Sequence, residues 1–552
     1  MAPLKPVTSL YQLSEKIVLN YLKDTYFIFS YLTQPIAIEE MRKLPEYFDG
    51  LPVAIQDELA TKLMDIGERD TDVIEGDYVI NDWHWTNIVY FTLKILFNKQ
   101  SQKLRIKHAF HEAKSDDEKK DFMFKIISNI RINGENLRQL VCTAMCSDEI
   151  LEAVGKNCRK LKELEIADIV SDQGFHWILP SNEHALVDDC YFIGCNQAHG
   201  CPELVNLQIK YHTSASESIS YMMKTKIIHY FKNLKSYSCD PFTFDLSQVA
   251  DTVSTIEHLE LTGFSKIIGC HLISKIFPRL KSIQSSFNYE DLICLSNCSI
   301  LEKFGVNNVP RSEDESLILN LIEKHPNVMN FKILSIPYKS MLKQIILAIG
   351  RNCPNIEVLQ LCNFGNSNND ISINLEDEEE VRNFFVKLKE LAIFAIRGKE
   401  KFLSNLLSFV LKNSTIEKLN IGIKDGNYTF QFDTVFKEIL TTLPLHKLQE
   451  LRLEDPGAGG VDISEETMKI LSNLPEIRKI ILGKPGINNE VFYEFYNPTA
   501  YFLDVLKTYA NENNYDIEYE IHGGDESSDE SDGYDYDETD EDEESDEEID
   551  EN

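Results

Sequence analysis

Apolar residues recur along the chain in one short pattern: two apolar positions three apart, then a third two residues on. It reads Leu161-x-x-Leu164-x-Ile166, Leu204-x-x-Leu207-x-Ile209, Leu234-x-x-Tyr237-x-Cys239 and Ile256-x-x-Leu259-x-Leu261. It continues through Leu280-x-x-Ile283, Leu301-x-x-Phe304-x-Val306, Val328-x-x-Phe331-x-Ile333 and Ile356-x-x-Leu359-x-Leu361. Further copies begin at Leu388, Ile416, Leu448 and Ile477, and a weaker one, Leu137-x-x-Leu140-x-Cys142, precedes them all. The last two apolar positions alternate with period two, which predicts a short strand with one face buried. The residues ahead of each copy have helical periodicity, as in the run Met341 to Ile349. Each unit is therefore expected to be a strand plus a helix. Neither can bury its apolar side alone, so neighbours must stack.

From Leu204 to Ile477 the mean period is about 27 residues, inside the range of leucine-rich repeats. One copy is a weak signal; twelve at this spacing predict an α/β leucine-rich-repeat solenoid, a horseshoe. Cys201-Pro202 and Cys353-Pro354 stand just before two copies, where proline ends the helix and turns the chain into the strand. This wording resembles the cysteine-containing repeats of ubiquitin-ligase receptors. The middle residue of each strand is expected to point out from the concave wall. The candidates there are Glu165, Gln208, Glu260, Gln284, Lys332, Gln360, Asn420 and Arg452, beside Ser238, Gly305, Ala392 and Ile481. A solvated face and a protein-docking face both fit this mixed, mostly polar row.

Some stretches depart from the period. Between Ile169 and Cys201 lie His176, Trp177, Cys190 and Cys195, in either a degenerate repeat or a loop. Asn366 to Glu380 is polar and acidic and reads as a projecting loop. Gly457-Ala458-Gly459-Gly460 lacks the Lys-Ser/Thr of a phosphate loop and reads as a turn.

Charge changes the picture at one end. The net charge is −35, and 18 of the carboxylates fall between Asp525 and Glu551, with no Lys or Arg among them. Such a tail, taken as residues 523–552, is expected to be disordered. The body remains moderately acidic, which argues against nucleic acid as a general partner. No run approaches the ~20 apolar residues of a membrane span, and no secretory signal follows Met1. The 12 cysteines are scattered. Cys142/Cys146 and Cys294/Cys298 lack a second pair at zinc-binding spacing, so reduced, packed thiols and a cytoplasmic or nuclear location are expected. No cofactor or metal is implied. His108, His111 and Glu112 do not form a metalloprotease motif, and no catalytic set stands out.

Residues before about 130 lack the repeat. Ser9-Leu10-x-x-x-Ser14-x-x-x-Val18 lies on one predicted helix. Leu51-Pro52-x-x-Ile55-x-x-x-Leu59 opens another at Pro52. Trp83-His84-Trp85, the apolar run Ile88 to Phe97 and the cations Lys99, Lys103, Arg105 and Lys107 read as core aromatics and a solvated helix face. The division expected is a helical module at 1–70, linking or capping helices at 71–130 and repeats at 131–522.

The plainest role for the N-terminal helices is a cap for the first repeat. Together and in this order, however, the two motifs resemble the VHL-box, a BC-box followed by a Cullin-two box. Leu44 to Pro52 is also similar to the Zyg-eleven/Zer-one family of Cullin-two substrate receptors. That resemblance implies that Leu10, Ser14 and Val18 meet Elongin C of the Elongin B/C pair. It implies that Leu51, Pro52, Ile55 and Leu59 face the cullin. Ser14 stands where the family has cysteine, and the family's C-terminal armadillo-type domain is replaced by the acidic tail. The expectation is a non-enzymatic substrate-recognition adaptor of a cullin-RING ubiquitin ligase, its target an unidentified protein. The alternatives are an acidic scaffold for basic proteins such as histones, and an F-box adaptor, since Leu51-Pro52 also resembles the start of an F-box.

Overall fold

The structure, a computed structural model, describes Val18, Phe48 and residues 51–69, 92–106 and 116–483. Within the last span it leaves out 144–145, 168–169, 181–198, 211–218, 240–242, 262–265, 286–288, 307–314, 334–338, 365–382, 397–399, 424–430, 444, 455–463 and parts of 465–473. Leu10, Ser14, the segments 70–91 and 107–115, the loop at 366–380, the glycine run at 457–460 and the acidic tail lie outside the described residues.

The period-two segments form one parallel sheet of 14 strands, and the fold is mixed α/β, consistent with a leucine-rich-repeat-like solenoid. The strands are β1 (Lys103–Ile106), β2 (Gln139–Cys142), β3 (Glu163–Ala167), β4 (Asn206–Lys210), β5 (Ser236–Cys239), β7 (His258–Leu261) and β9 (Ser282–Ser285). They continue as β10 (Lys303–Val306), β11 (Asn330–Ile333), β12 (Val358–Phe364), β13 (Glu390–Ile396), β14 (Lys418–Ile423), β15 (Glu450–Glu454) and β16 (Lys479–Gly483). Two more, β6 (Thr243–Asp245) and β8 (Lys266–Ile268), pair with each other in a separate parallel sheet. Neighbouring repeats align without a slip at the leucines, as in Leu359↔Leu391, Leu391↔Leu419 and Leu419↔Leu451. Leu164, Leu207, Leu259, Leu359, Leu391, Leu419 and Leu451 are all buried. They pack with the apolar faces of helices such as Asp148–Asn157, Glu315–Lys324, Lys339–Asn352, Glu400–Leu411 and Phe432–Thr442 in one continuous core.

The turn into most of the strands is made the same way; before β7, Ile256 N donates instead to the Ser254 hydroxyl. The carbonyl three residues before the first apolar position accepts that residue's N–H: Cys158 from Leu161, Cys201 from Leu204, His325 from Val328, Cys353 from Ile356. The cysteines of the Cys-Pro wording are therefore inward-packed turn residues. Burial pushes the Cys158 and Cys353 thiols up to about 12, and it also raises the Cys201 thiol well above its ordinary value. Next to most of the strands, one carbonyl accepts two N–H groups from the following repeat, as Lys162 O does from Val205 and Asn206, and Glu357 O from Lys389 and Glu390. This second ladder locks the repeats where the sheet begins.

Helix starts add another link. Ser147 and Ser171 cap their helices through their hydroxyls, accepting from Ile150 N and Gly174 N. The aspartate after each cap reaches the next cap: Asp148 accepts from Ser171 N at 2.8 Å, and Asp172 from Ser220 N at 2.7 Å. Asp433 does the same for Ser464 N at 2.6 Å.

Several expectations change. The sheet opens at β1, one strand before the weak copy at Leu137, so Lys103 and Arg105 lie on a strand and not on a helix face. The first apolar position of that repeat is Ser101, buried at 1%, whose hydroxyl donates to the Leu96 carbonyl, so the leucine pattern is missing there. Between β3 and β4 no extra strand intervenes, because the two pair directly, Leu164 with Leu207. The long interval holds a short helix, Asp172–His176, with Phe175 and His176 buried. Finally, not every unit is strand plus helix. From Tyr237 to Leu259, and from there to Ile283, only 22 and 24 residues separate equivalent positions. The outer layer there is made by β6, β8 and 3-10 turns at Leu246–Val249 and Cys270–Leu272, followed by one turn of helix, Ile273–Ile276. Among the described residues no helix is long and apolar enough to cross a membrane.

Candidate interaction surfaces

The strand face is set by the pleat. With the leucines inside, the residue between them must stand on the opposite side. The register places these middle residues in one row: Glu165↔Gln208↔Ser238↔Glu260↔Gln284↔Gly305↔Lys332↔Gln360↔Ala392↔Asn420↔Arg452. All eight polar candidates in it are half-buried, whereas the leucines beside them are buried. Neighbouring strands lie ~4.8 Å apart, so the row runs for roughly 48 Å along the sheet.

Its chemistry is graded. The acids Glu165 and Glu260 stand toward β3 and β7, and the cations Lys332 and Arg452 toward β11 and β15. Glu165 is paired with Lys210, while Ser238 Oγ meets Glu260 Oε2 at 3.4 Å. Gly305 makes a notch: a Cβ there would stand 2.9 Å from Gln284 Cγ, so the Gln284 side chain lies across it. Ala392 makes a second shallow point. The enclosed Oδ1 of Asn420 has no hydrogen-bond partner among the described residues. Two residues before Glu260, burial and then Lys303 lower the pKa of His258, favouring its neutral form. The row thus offers donors, acceptors and charges of both signs to an extended or helical surface.

At the N-terminal edge stands the helix Val53–Arg69. Pro52 precedes it and its carbonyl accepts from Ile55 N and Gln56 N, so the helix starts where proline predicts, with Pro52 exposed. Leu51 and Ile55 are half-buried; Leu59 is buried at 1% in a small cluster with Phe48, Leu63, Ile95 and Leu96. Val18, itself helical, packs against that same cluster. Of the four residues in the second motif, Leu59 is thus turned into the module's own core. Pro52 and the open sides of Leu51 and Ile55 make up its surface.

Two polar side chains that the sequence reading passed over fix this helix to the solenoid. Gln56, buried at 2%, donates to the Phe48 and Leu51 carbonyls at 2.7 and 2.9 Å, and its Oε1 accepts from Asn98. The Asp57 carboxylate accepts from Gln102 N, just before β1. Burial raises the Asp57 pKa, only partly offset by the hydrogen bonds from Gln102 and Lys103. Met64 on the same helix enters the main repeat core. The helix caps the first repeat.

Cys142 and Cys146 are buried, with the Cys146 thiol pushed up by its hydrogen bond to Cys142 and by burial. Cys294 is half-buried, and burial pushes Cys298 up to about 11. Among the described residues no group of three or more His, Cys, Asp or Glu is placed to hold a metal ion.

No family model matches the chain, and no curated protein matches it. Among solved structures it is similar to one described as the crystal structure of the Rad7 and Elc1 complex in yeast. The TM-score is 0.37 and the identity 13%, over 87% of this chain and 93% of that chain. A TM-score that low carries no argument about partners or activity.

Proposed function

We propose that the chain is a non-enzymatic adaptor that holds a protein target on the strand face of its repeats and a ubiquitin-ligase scaffold at its N-terminal cap. In this reading the protein is a leucine-rich-repeat substrate receptor whose VHL-box-like module at 1–70 engages Elongin B/C through Leu10, Ser14 and Val18. A cullin is met by Leu51, Pro52 and Ile55. Ubiquitin transfer belongs to the partners, and the adaptor raises the effective concentration of its target beside them. Such a protein works in the cytoplasm or nucleus.

The observation that carries the reading is the pairing of two surfaces on one frame. A motif with an exposed Pro52 and half-exposed Leu51 and Ile55 stands on the cap. A graded polar row of half-buried side chains runs along the repeats. Packing of the first repeat alone does not require Pro52 or the outer sides of Leu51 and Ile55.

The test is recovery of purified Elongin B/C and a Cullin-two scaffold by the full chain. Leu10→Ala with Ser14→Phe is expected to lose Elongin. Leu51→Ala with Pro52→Ala is expected to lose the cullin and keep Elongin. Ser14→Cys is expected to bind Elongin at least as well as the natural chain, since it restores the family's residue. Recovery of neither partner by the unaltered chain overturns the ligase reading; recovery of an F-box adaptor's Skp partner instead replaces it.

A further inference from the structure

The edge of the solenoid where the strands begin is basic over the first repeats, although the chain carries −35. Three positions per repeat line this edge: the two residues before the first apolar position and the one after it. The second backbone ladder stacks the last of these from repeat to repeat, as in Lys162 N to Arg138 O and Glu257 N to Lys235 O. In the turns leading into β2 to β9, these positions hold Arg138, Arg159, Lys160, Lys162, Lys232, Lys235, Arg279 and Lys281 against Glu135, Glu203 and Glu257. In the turns into β10 to β16, the same positions hold four cations and four acids. Arg138, Arg159, Lys162 and Arg279 are exposed and have no ion-pair partner among the described residues.

Compensation of helix dipoles does not explain the contrast. Cations favour helix C-termini, yet the 14-residue helix Lys339–Asn352 is followed at these positions by Pro354, Asn355 and Glu357. The four-residue helix Ile273–Ile276 is followed by Pro278, Arg279 and Lys281. The charge therefore calls for a polyanion along the edge.

We infer that this basic edge binds the chain's own acidic tail, Asp525 to Glu551. The tail offers 18 carboxylates and no cation, whereas the next acidic run, Glu376 to Glu380, offers five. Its reach is sufficient. From β16 to β3 is eleven strand spacings, roughly 53 Å at ~4.8 Å each. The 42 residues from Gly483 to Asp525 can span up to ~140 Å. Docked there, the tail screens the edge from other polyanions and leaves the strand face free. The inference does not depend on the ligase reading.

Zero-length carbodiimide cross-linking of the full chain, read by mass spectrometry, tests it, because only a carboxylate touching a lysine is joined. Tail carboxylates are expected to join Lys160, Lys162, Lys232, Lys235 and Lys281 within one molecule. The yield is expected to fall several-fold between roughly 0.05 and 0.5 M salt, as screening shortens to a few ångströms. Arg138→Glu with Arg159→Glu and Arg279→Glu leaves every acceptor lysine in place and is expected to lower the yield several-fold, with circular dichroism unchanged. The inference is overturned by tail links that are absent, links spread equally to Lys387, Lys389 and Lys447, yields indifferent to salt and to the arginine changes, or links to these lysines from Glu183, Asp188, Asp189 or Glu376 to Glu380 in place of the tail. Links found only between 14N- and 15N-labelled copies also overturn it, because the tail would then bind a second molecule.

Discussion

Single residues decide how tightly each repeat closes, and those decisions were unequally visible beforehand. Leu359 was legible: it sits in the pattern and is buried at 0% exposure between Phe331 and Leu391. Leu359→Ala is expected to cost about 2–5 kcal/mol in chemical denaturation, from lost burial and the cavity left behind. Gly350 was not legible, because its constraint comes from Phe384, 34 residues away in sequence. A Cβ on Gly350 would stand 2.4 Å from the Phe384 ring. In an open helix Gly→Ala is worth about 1 kcal/mol of stability; here the sign is expected to reverse, with Gly350→Ala destabilising by about 1–3 kcal/mol. A thermal shift upward would contradict the packing. The turn cysteines make a third case. Their folded thiols stay neutral to about 12 for Cys158 and Cys353 and about 11 for Cys298, against 9.0 for an ordinary thiol. Between those limits the unfolded chain releases protons that the folded chain keeps, so stability is full below pH 9 and declines as pH rises toward 11–12. Cys158→Ala is expected to flatten that decline in denaturation curves taken across pH 8–11.

At the scale of elements, spacing foretold most of the architecture, and links between repeats did not show in it. Interval length alone does not decide the outer layer: the 24 residues from Leu140 to Leu164 hold the helix Asp148–Asn157, whereas the 22 and 24 that follow Tyr237 hold β6, β8 and 3-10 turns. The strand β1 escaped because Ser101 takes the leucine's place. The Ser-Asp pairs at 147–148 and 171–172 are visible as helix starts, but nothing in the line of residues says that Asp148 serves the next cap. Its carboxylate joins Ser171 N and Oγ, and Asp172 joins Ser220 N. Asp148→Ala removes a charged acceptor from Ser171 and is expected to cost about 1–3 kcal/mol. Faster amide exchange over 171–179 would be the local sign of it. For Asp433, burial raises the carboxyl pKa and the hydrogen bonds from Ser464 more than reverse the effect, leaving it lowered. That link is therefore present above the ordinary carboxylate range and lost as pH falls through the depressed value. At the cap, Asp57→Ala leaves Gln102 N without its partner and is expected to speed exchange over 92–106 first.

For the whole molecule, the stacking of the repeats from Leu137 onward and the direction of the polar row were readable because a solenoid is set by nearest neighbours, and each neighbour repeats one local rule. The candidate face followed from the pleat alone, which is why Glu165, Gln208, Glu260, Gln284, Lys332, Gln360, Asn420 and Arg452 all stand in it. The role of the first helices was less readable, because one amphipathic stripe serves both a cap and a docking motif. Leu59 went to the cap's core while Pro52 stayed outside. The central claim is that cap and strand face bind different partners independently. It is tested by mass spectrometry of proteins captured by the full chain and by two variants, Leu51→Ala with Pro52→Ala, and Lys332→Glu with Gln360→Ala. The account predicts that the first variant loses cullin and retains the remaining captured proteins, and that the second retains cullin and Elongin and loses a protein that the natural chain holds. Identical captures from all three chains, or loss of every partner from either folded variant, would contradict it.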